Sequence, residues 1–227
     1  NVASVIDWMA GEFTSVPRLF VTGCSAGGAG ATVNYYDIRK GMPDVGEAYL
    51  LADSGPIFPS DCNSGPLHEK VYDAWQVESI FGGLPPTFDP DDFGSINRLI
   101  AEEFPDDRMA VTYFQRDFNY SLYSYERFYD LPPPDDPAFK EQILDMWWSD
   151  TQLLMDVYDS RDNLAYYLPY FRSLNDSHCS TLISYAGSDI EELDMTMEQF
   201  VADLLDDGAP LESYLESVQP DEDLPEQ

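Results

Sequence analysis

Gly23-Cys24-Ser25-Ala26-Gly27 has the G-x-S-x-G spacing that frees a serine hydroxyl at a sharp turn between a strand and a helix. Residues 18–22 before it read as a short strand. Residues 28–40 after it carry Ala29, Ala31 and Val33 in a helix-compatible stretch. Such a turn forces Ser25 into strained backbone, which gives Gly23 and Gly27 a steric reason to be small. It also sets Ser25 above a helix N-terminus, where the Ala26 N–H and the positive dipole end meet a developing oxyanion. The chemistry implied is nucleophilic acyl transfer.

A neutral serine is a weak nucleophile and needs a base within hydrogen-bond reach. The chain holds two histidines, His68 and His178. His178 lies in Asn175-Asp-Ser-His-Cys-Ser180, late in the chain, as the order serine, acid, histidine requires. His68 follows Ser64-Gly65-Pro66 near a helix start and would fall between serine and acid. For the acid that orients the imidazole, position favours Asp117, after a third strand. Asp53, after a second strand in Asp53-Ser54-Gly55, is the alternative. Asp176 is too close to His178 in sequence to reach the ring from behind.

These residues need a scaffold that brings them to one edge. Strand-like segments fall at residues 18–22, 48–52, 109–114 and 170–174, each running towards one of Ser25, Asp53, Asp117 and His178. Helical patterns fall at 2–12, 26–40, 67–81, 92–104, 118–130, 136–159 and 193–206. Alternation of strand and helix predicts an α/β fold with a parallel sheet flanked by helices, of the α/β-hydrolase type. Ligands of such sheets gather at the carboxyl ends of the strands. Residues 1–218 read as one catalytic domain, and 219–227 as an acidic flexible tail.

The chain has 227 residues, 44% hydrophobic and 14% aromatic, enough for one folded domain. Its formal charge is −32, with three lysines. That charge disfavours nucleic acid and anionic membranes as partners, and it resembles the surface of a halophile's protein, with a secreted acidic hydrolase at ordinary salt as the alternative. No apolar run is long enough to span a membrane. The chain starts on Asn1, as though inside a longer or processed precursor, so a signal peptide would lie upstream and the expected location is secreted or periplasmic. Cys24, Cys62 and Cys179 show no zinc spacing, so neither metal nor cofactor is expected. Cys24 reads as a small buried thiol, and Cys62 and Cys179 as loop residues able to pair. Tyr113, Phe118, Tyr120 and Tyr123 are candidates for an acyl pocket or for core.

The ordered motifs GCSAGG at 23–28, LADSG at 51–55, VTYFQRD at 111–117 and SLNDSHCS at 173–180 resemble the pectin acetylesterase family, which includes the Notum carboxylesterases. The resemblance spans about residues 5–206. It implies an α/β-hydrolase-like fold, Ser25 as nucleophile, Asp117 as acid and His178 as base, and metal-free carboxylic ester hydrolysis. Family members remove acetyl groups from pectin or lipid acyl groups from protein. The implied substrate is a small-molecule or polysaccharide ester. A non-catalytic carbohydrate-binding or interaction protein that keeps the fold is the rival from another class. The family's upstream Gly-rich oxyanion loop has no counterpart before Ser25, and three cysteines cannot form the disulfides of plant and animal members, which favours a microbial one. The expectation is therefore a fold lacking its first strands, completed by an upstream segment or a second chain that donates the second oxyanion contact.

Overall fold

The computed structural model describes residues 2–77, 85, 88–182 and 185–218, so the tail at 219–227 lies outside the described residues. Five strands, β1 (Val16–Cys24), β2 (Val45–Asp53), β3 (Arg108–Thr112), β4 (Leu164–Leu168) and β5 (Tyr214–Leu215), form one sheet in chain order. Every pairing is parallel. Helices α1 (Val2–Glu12), α2 (Ala26–Gly41), α3 (Gly65–Ala74), α4 (Ser95–Glu103), α5 (Phe118–Tyr125), α6 (Pro137–Asp159) and α7 (Met197–Leu204) connect or flank them. This is the α/β, hydrolase-like parallel sheet expected from the sequence.

Parallel strands covered on both faces carry near-continuous apolar runs, because each alternate residue meets a helix layer. In β2 and β3, Leu50, Ala52, Met109 and Val111 face the larger core with residues of α2, α4 and α6. Leu51, Ala110, Ala165 and Tyr167 face the opposite side, where Phe200 and Leu204 of α7 cover them. The cover ends at β1, where Phe20 is 40% exposed. β1 pairs only with β2 among the described residues.

Register does the positioning. Cys24 lies opposite Asp53, Asp53 opposite Thr112, and Thr112 opposite Tyr167. The carboxyl ends of four strands are thus level, and the loops that leave them meet above one edge.

The fourth strand corrects the sequence reading: it is Leu164–Leu168, and residues 170–174 are loop and turn after Pro169. Two apolar runs stand side by side there. Every residue of β4 is buried, so no alternation marks it as the strand. β5, two residues long, escapes notice for want of length. The helix expected at 67–81 begins earlier, at Gly65 with Pro66 in its first turn, and ends at Ala74 within the described residues.

Candidate active site

Ser25 sits between β1 and α2 with φ 59° and ψ −127°. A non-glycine residue there is costly, of order 1–3 kcal/mol, and persists only where its surroundings fix it. Here the Ser25 N–H donates to the Asp53 carbonyl at 2.8 Å, and the Ser25 carbonyl accepts from Gly28 and Ala29. A Cβ on Gly23 would run into the Gly27 carbonyl, so that glycine is required. Gly27 differs from expectation: a Cβ there meets nothing within 4 Å, and the tight position is Gly28, against the Asp53 carbonyl. Ala26 opens α2, and its N–H meets no acceptor among the described residues.

His178 follows β4 through a turn at Leu174–Ser177. Its Nδ1 lies 2.8 Å from Asp117 Oδ2, and both side chains are buried. Asp117 also caps α5, its Oδ1 accepting the Tyr120 N–H at 2.9 Å. One carboxylate therefore orients the imidazole and starts the helix that carries Tyr120, whose ring stacks on His178 at 6.3 Å between centroids.

Asp53 makes the contacts of a loop-stabilising carboxylate at a strand end, not those of an acid partner to the imidazole. Its Oδ1 accepts from Ser180 N and Oγ and from Ser54 Oγ, and its Oδ2 from Thr181 N and Oγ1, all at 2.6–3.0 Å. Ser54 Oγ in turn accepts the Cys179 N–H at 3.0 Å. Asp53 is the anchor of the His178 loop. Arg172 braces the other end, donating to the carbonyls of Gly187 and Asp189 and pairing with Glu216.

The cysteines also depart from the sequence reading. Cys24 is bonded to Cys179, with Cα atoms 5.8 Å apart, and Cys62 is the free thiol. The residue before Ser25 is thus tied to the residue after His178. The symmetry was visible in Cys24-Ser25 and His178-Cys179: if serine and histidine meet, their cysteine neighbours meet as well. Among the described residues, Cys24, His178 and Cys179 also form the one Cys/His/carboxylate grouping with ligand atoms near enough for a metal, all within 4.8 Å. Its two sulfurs are bonded to each other, which leaves no thiolate pair to bind one.

Two opposed histidine environments result. Burial acts to lower the His178 pKa, but the hydrogen bond and charge of Asp117, helped by Asp53, outweigh it and the net shift is upward from 6.5. Burial alone acts on His68 and lowers its pKa from 6.5 to about 4. His68, set aside as the base on chain order, lines a cavity of about 360 Å³ that also reaches Ser25 and Ala26. Ile57, Leu67 and Val71 give this cavity apolar walls, and Tyr120 and Tyr123 line it too. Tyr113 is instead core, packed on Phe58 and Trp147. Phe118 also packs on the core, under the Lys140 ammonium. The spacing of His68, Val71 and Trp75 on one face of a helix and its C-terminal turn was the signal available for the cavity.

No protein-family model, curated protein or solved structure matches the chain. The site's chemistry therefore rests on its own geometry.

Proposed function

We propose that the protein is a serine carboxylic ester hydrolase, with Ser25 as nucleophile, His178 as general base and Asp117 as the acid that orients it. The observation that carries this reading is the 2.8 Å Asp117–His178 contact, on a loop joined by a disulfide to the strained Ser25 turn. In this mechanism Asp117 holds the proton of His178 on Nδ1, leaving Nε2 to take the Ser25 proton as Oγ attacks the ester carbonyl. The Ala26 N–H stabilises the oxyanion. His178 then protonates the departing alcohol, and water, activated by the same imidazole, cleaves the acyl-serine. A second oxyanion donor belongs to this chemistry, and an upstream segment or second chain against the open edge of β1 is its proposed source.

Deacetylation of a polysaccharide such as pectin fits these steps. The size and apolar walls of the cavity beside Ser25 favour an acyl group larger than acetyl, and with it the deacylase reading over the acetylesterase one. A charge of −32 also works against a polyanionic substrate. The disulfide beside the site supports an oxidising, secreted or periplasmic setting.

The test is Ser25→Ala in the full chain. Hydrolysis of a 4-nitrophenyl ester should fall by roughly 10⁶-fold in kcat with the thermal melt retained. A fluorophosphonate should label Ser25 in the parent protein. Turnover near the parent's in Ser25→Ala, or labelling elsewhere, would overturn the assignment.

A further inference from the structure

Resting on that esterase reading, we infer that the acyl group this site accepts is aromatic and carries a ring hydroxyl, as in hydroxybenzoyl or hydroxycinnamoyl esters, and that His68 is the residue that selects it. Two observations bear on this. The first is the lining of the cavity. Beyond Ser25 and Ala26 it is framed by the rings of Trp75, Phe93, Tyr120 and Tyr123. Aromatic side chains with exposed faces and edges pair with a planar ring in offset or edge-on geometry. An acetyl group would leave most of that space to water.

The second observation is the bonding of His68. Its side chain is buried, with the residue 7% exposed, and its ring lies against Phe58 and Phe93. Among the described residues Nδ1 meets the Cys62 sulfur alone, at 4.0 Å. The other ring nitrogen has no hydrogen-bond partner among the described residues. It is not among the buried atoms shut off from solvent, so the cost arises when a ligand covers it: a ligand that cannot replace the lost hydrogen bond with solvent is rejected. A saturated alkyl chain or an unsubstituted ring would leave His68 unpaired. A phenolic hydroxyl both donates and accepts, so it suits either imidazole tautomer.

The choice of hydroxyl over carboxylate follows from charge. His68 is held neutral by its surroundings, and an anion in an apolar cavity needs a cation to offset desolvation. The described lining residues include none. His68 and Phe93 also border a second cavity of about 350 Å³ with Glu69, Asp73 and Asp91, so the acidic groups gather on the His68 side, while Lys70 and Arg127 border a third cavity that shares Leu67, Val71, Trp75 and Tyr123. His68 thus stands where apolar walls give way to polar ones, the place for the polar end of an otherwise apolar acyl group.

The experiment uses the full chain and matched ester pairs, methyl 4-hydroxycinnamate against methyl cinnamate and methyl 4-hydroxybenzoate against methyl benzoate. In at least one pair, kcat/KM should favour the hydroxylated ester by about tenfold, the worth of one buried hydrogen bond. In His68→Leu the ratio should collapse towards one, and His68→Gln should restore part of it. Binding is read separately in Ser25→Ala from Trp75 fluorescence quenching by free 4-hydroxycinnamate and cinnamate, with Trp75→Phe as control. Ratios at or below one in both pairs, or tighter binding of cinnamate, overturn the inference while fluorophosphonate labelling of Ser25 leaves the esterase reading standing. Failure of labelling overturns that reading instead, and the quenching arm still tests what the cavity holds.

Discussion

His68 lines the cavity beside Ser25, His178 stacks on Tyr120 of that lining, and the two rings stand in opposite chemical conditions. His178 is over-determined: Asp117 holds its ring, Asp53 and Ser54 hold the residues after it, and a disulfide ties its neighbour to the nucleophile turn. His68 is under-determined, packed among rings with a thiol at 4.0 Å as its nearest polar partner. The contrast separates machinery from recognition. A base must keep its geometry through every turnover, so its hydrogen bonds are made within the protein. A recognition group is useful only with bonding capacity left for a ligand. The electrostatics follow: a carboxylate raises one pKa and burial lowers the other.

The largest way to break this contrast is to remove the carboxylate from the first histidine. Asp117→Asn keeps the shape and leaves the imidazole in the wrong tautomer, so kcat should fall by roughly 10⁴-fold. The pH profile distinguishes this from simple misfolding. In the proposed mechanism His178 works as a base only when neutral, so kcat/KM should fall as pH drops through its pKa, which is raised from 6.5 in the parent. Among the described residues the charged groups acting on it are Asp117 and Asp53, and the Tyr120 ring covers one face. With Asp117 neutralised, the largest opposition to burial is gone and the acidic limb should move down in pH. A limb that stays in place would assign the titration to another group.

Much of the His178 side was legible in the sequence, and little of the His68 side. Ser25, Asp117 and His178 follow strand ends in a fixed order, so spacing and chain order carry the information. Asp53 was legible as a strand-end carboxylate, but which group it serves depends on how the loop at 179–181 folds back over it, a contact between residues far apart in the chain. β4 was misplaced by a few residues because a strand buried on both faces has no period to read. The cavity depends on side chains from five separate segments converging, which no local pattern encodes. The disulfide was readable only by someone who already trusted the Ser25–His178 pairing.

A second break addresses the link between the serine turn and the His178 loop. The Cys24–Cys179 bond closes a loop with a sequence separation of 155 residues. Chain-entropy reasoning gives such a cross-link up to about 4–5 kcal/mol of stability. Cys24→Ser with Cys179→Ser should lose a large part of that in urea unfolding. It should also lower kcat more than it raises KM, by up to about 10²-fold, because a small misplacement of serine against base is costly in the transition state. Cys62 is then the one cysteine left in the chain, so no alternative intramolecular disulfide can form. A double variant with parental kcat would show that Asp53 and Asp117 suffice to place the base.

The smallest expected effect isolates the second histidine without any substrate. In the unfolded chain His68 takes up a proton near pH 6.5, but in the folded protein only near pH 4. Between those values the unfolded state binds more protons, so stability falls as pH falls, and the loss is complete below pH 4. The gap corresponds to about 3 kcal/mol. Carboxylates titrate over the same range, so the informative quantity is the difference between the parent and His68→Leu in urea unfolding at pH 7.5 and pH 4. The variant should lose about 3 kcal/mol less than the parent over that interval. Altered packing in His68→Leu shifts absolute stability by an amount that is the same at both pH values and cancels in the difference. Equal losses would mean that His68 titrates normally in the folded protein, which would require that water or a neighbouring carboxylate such as Glu69 reaches the ring. That outcome would remove the distinction between the two histidines and weaken the case for a recognition group held neutral for a ligand's hydroxyl.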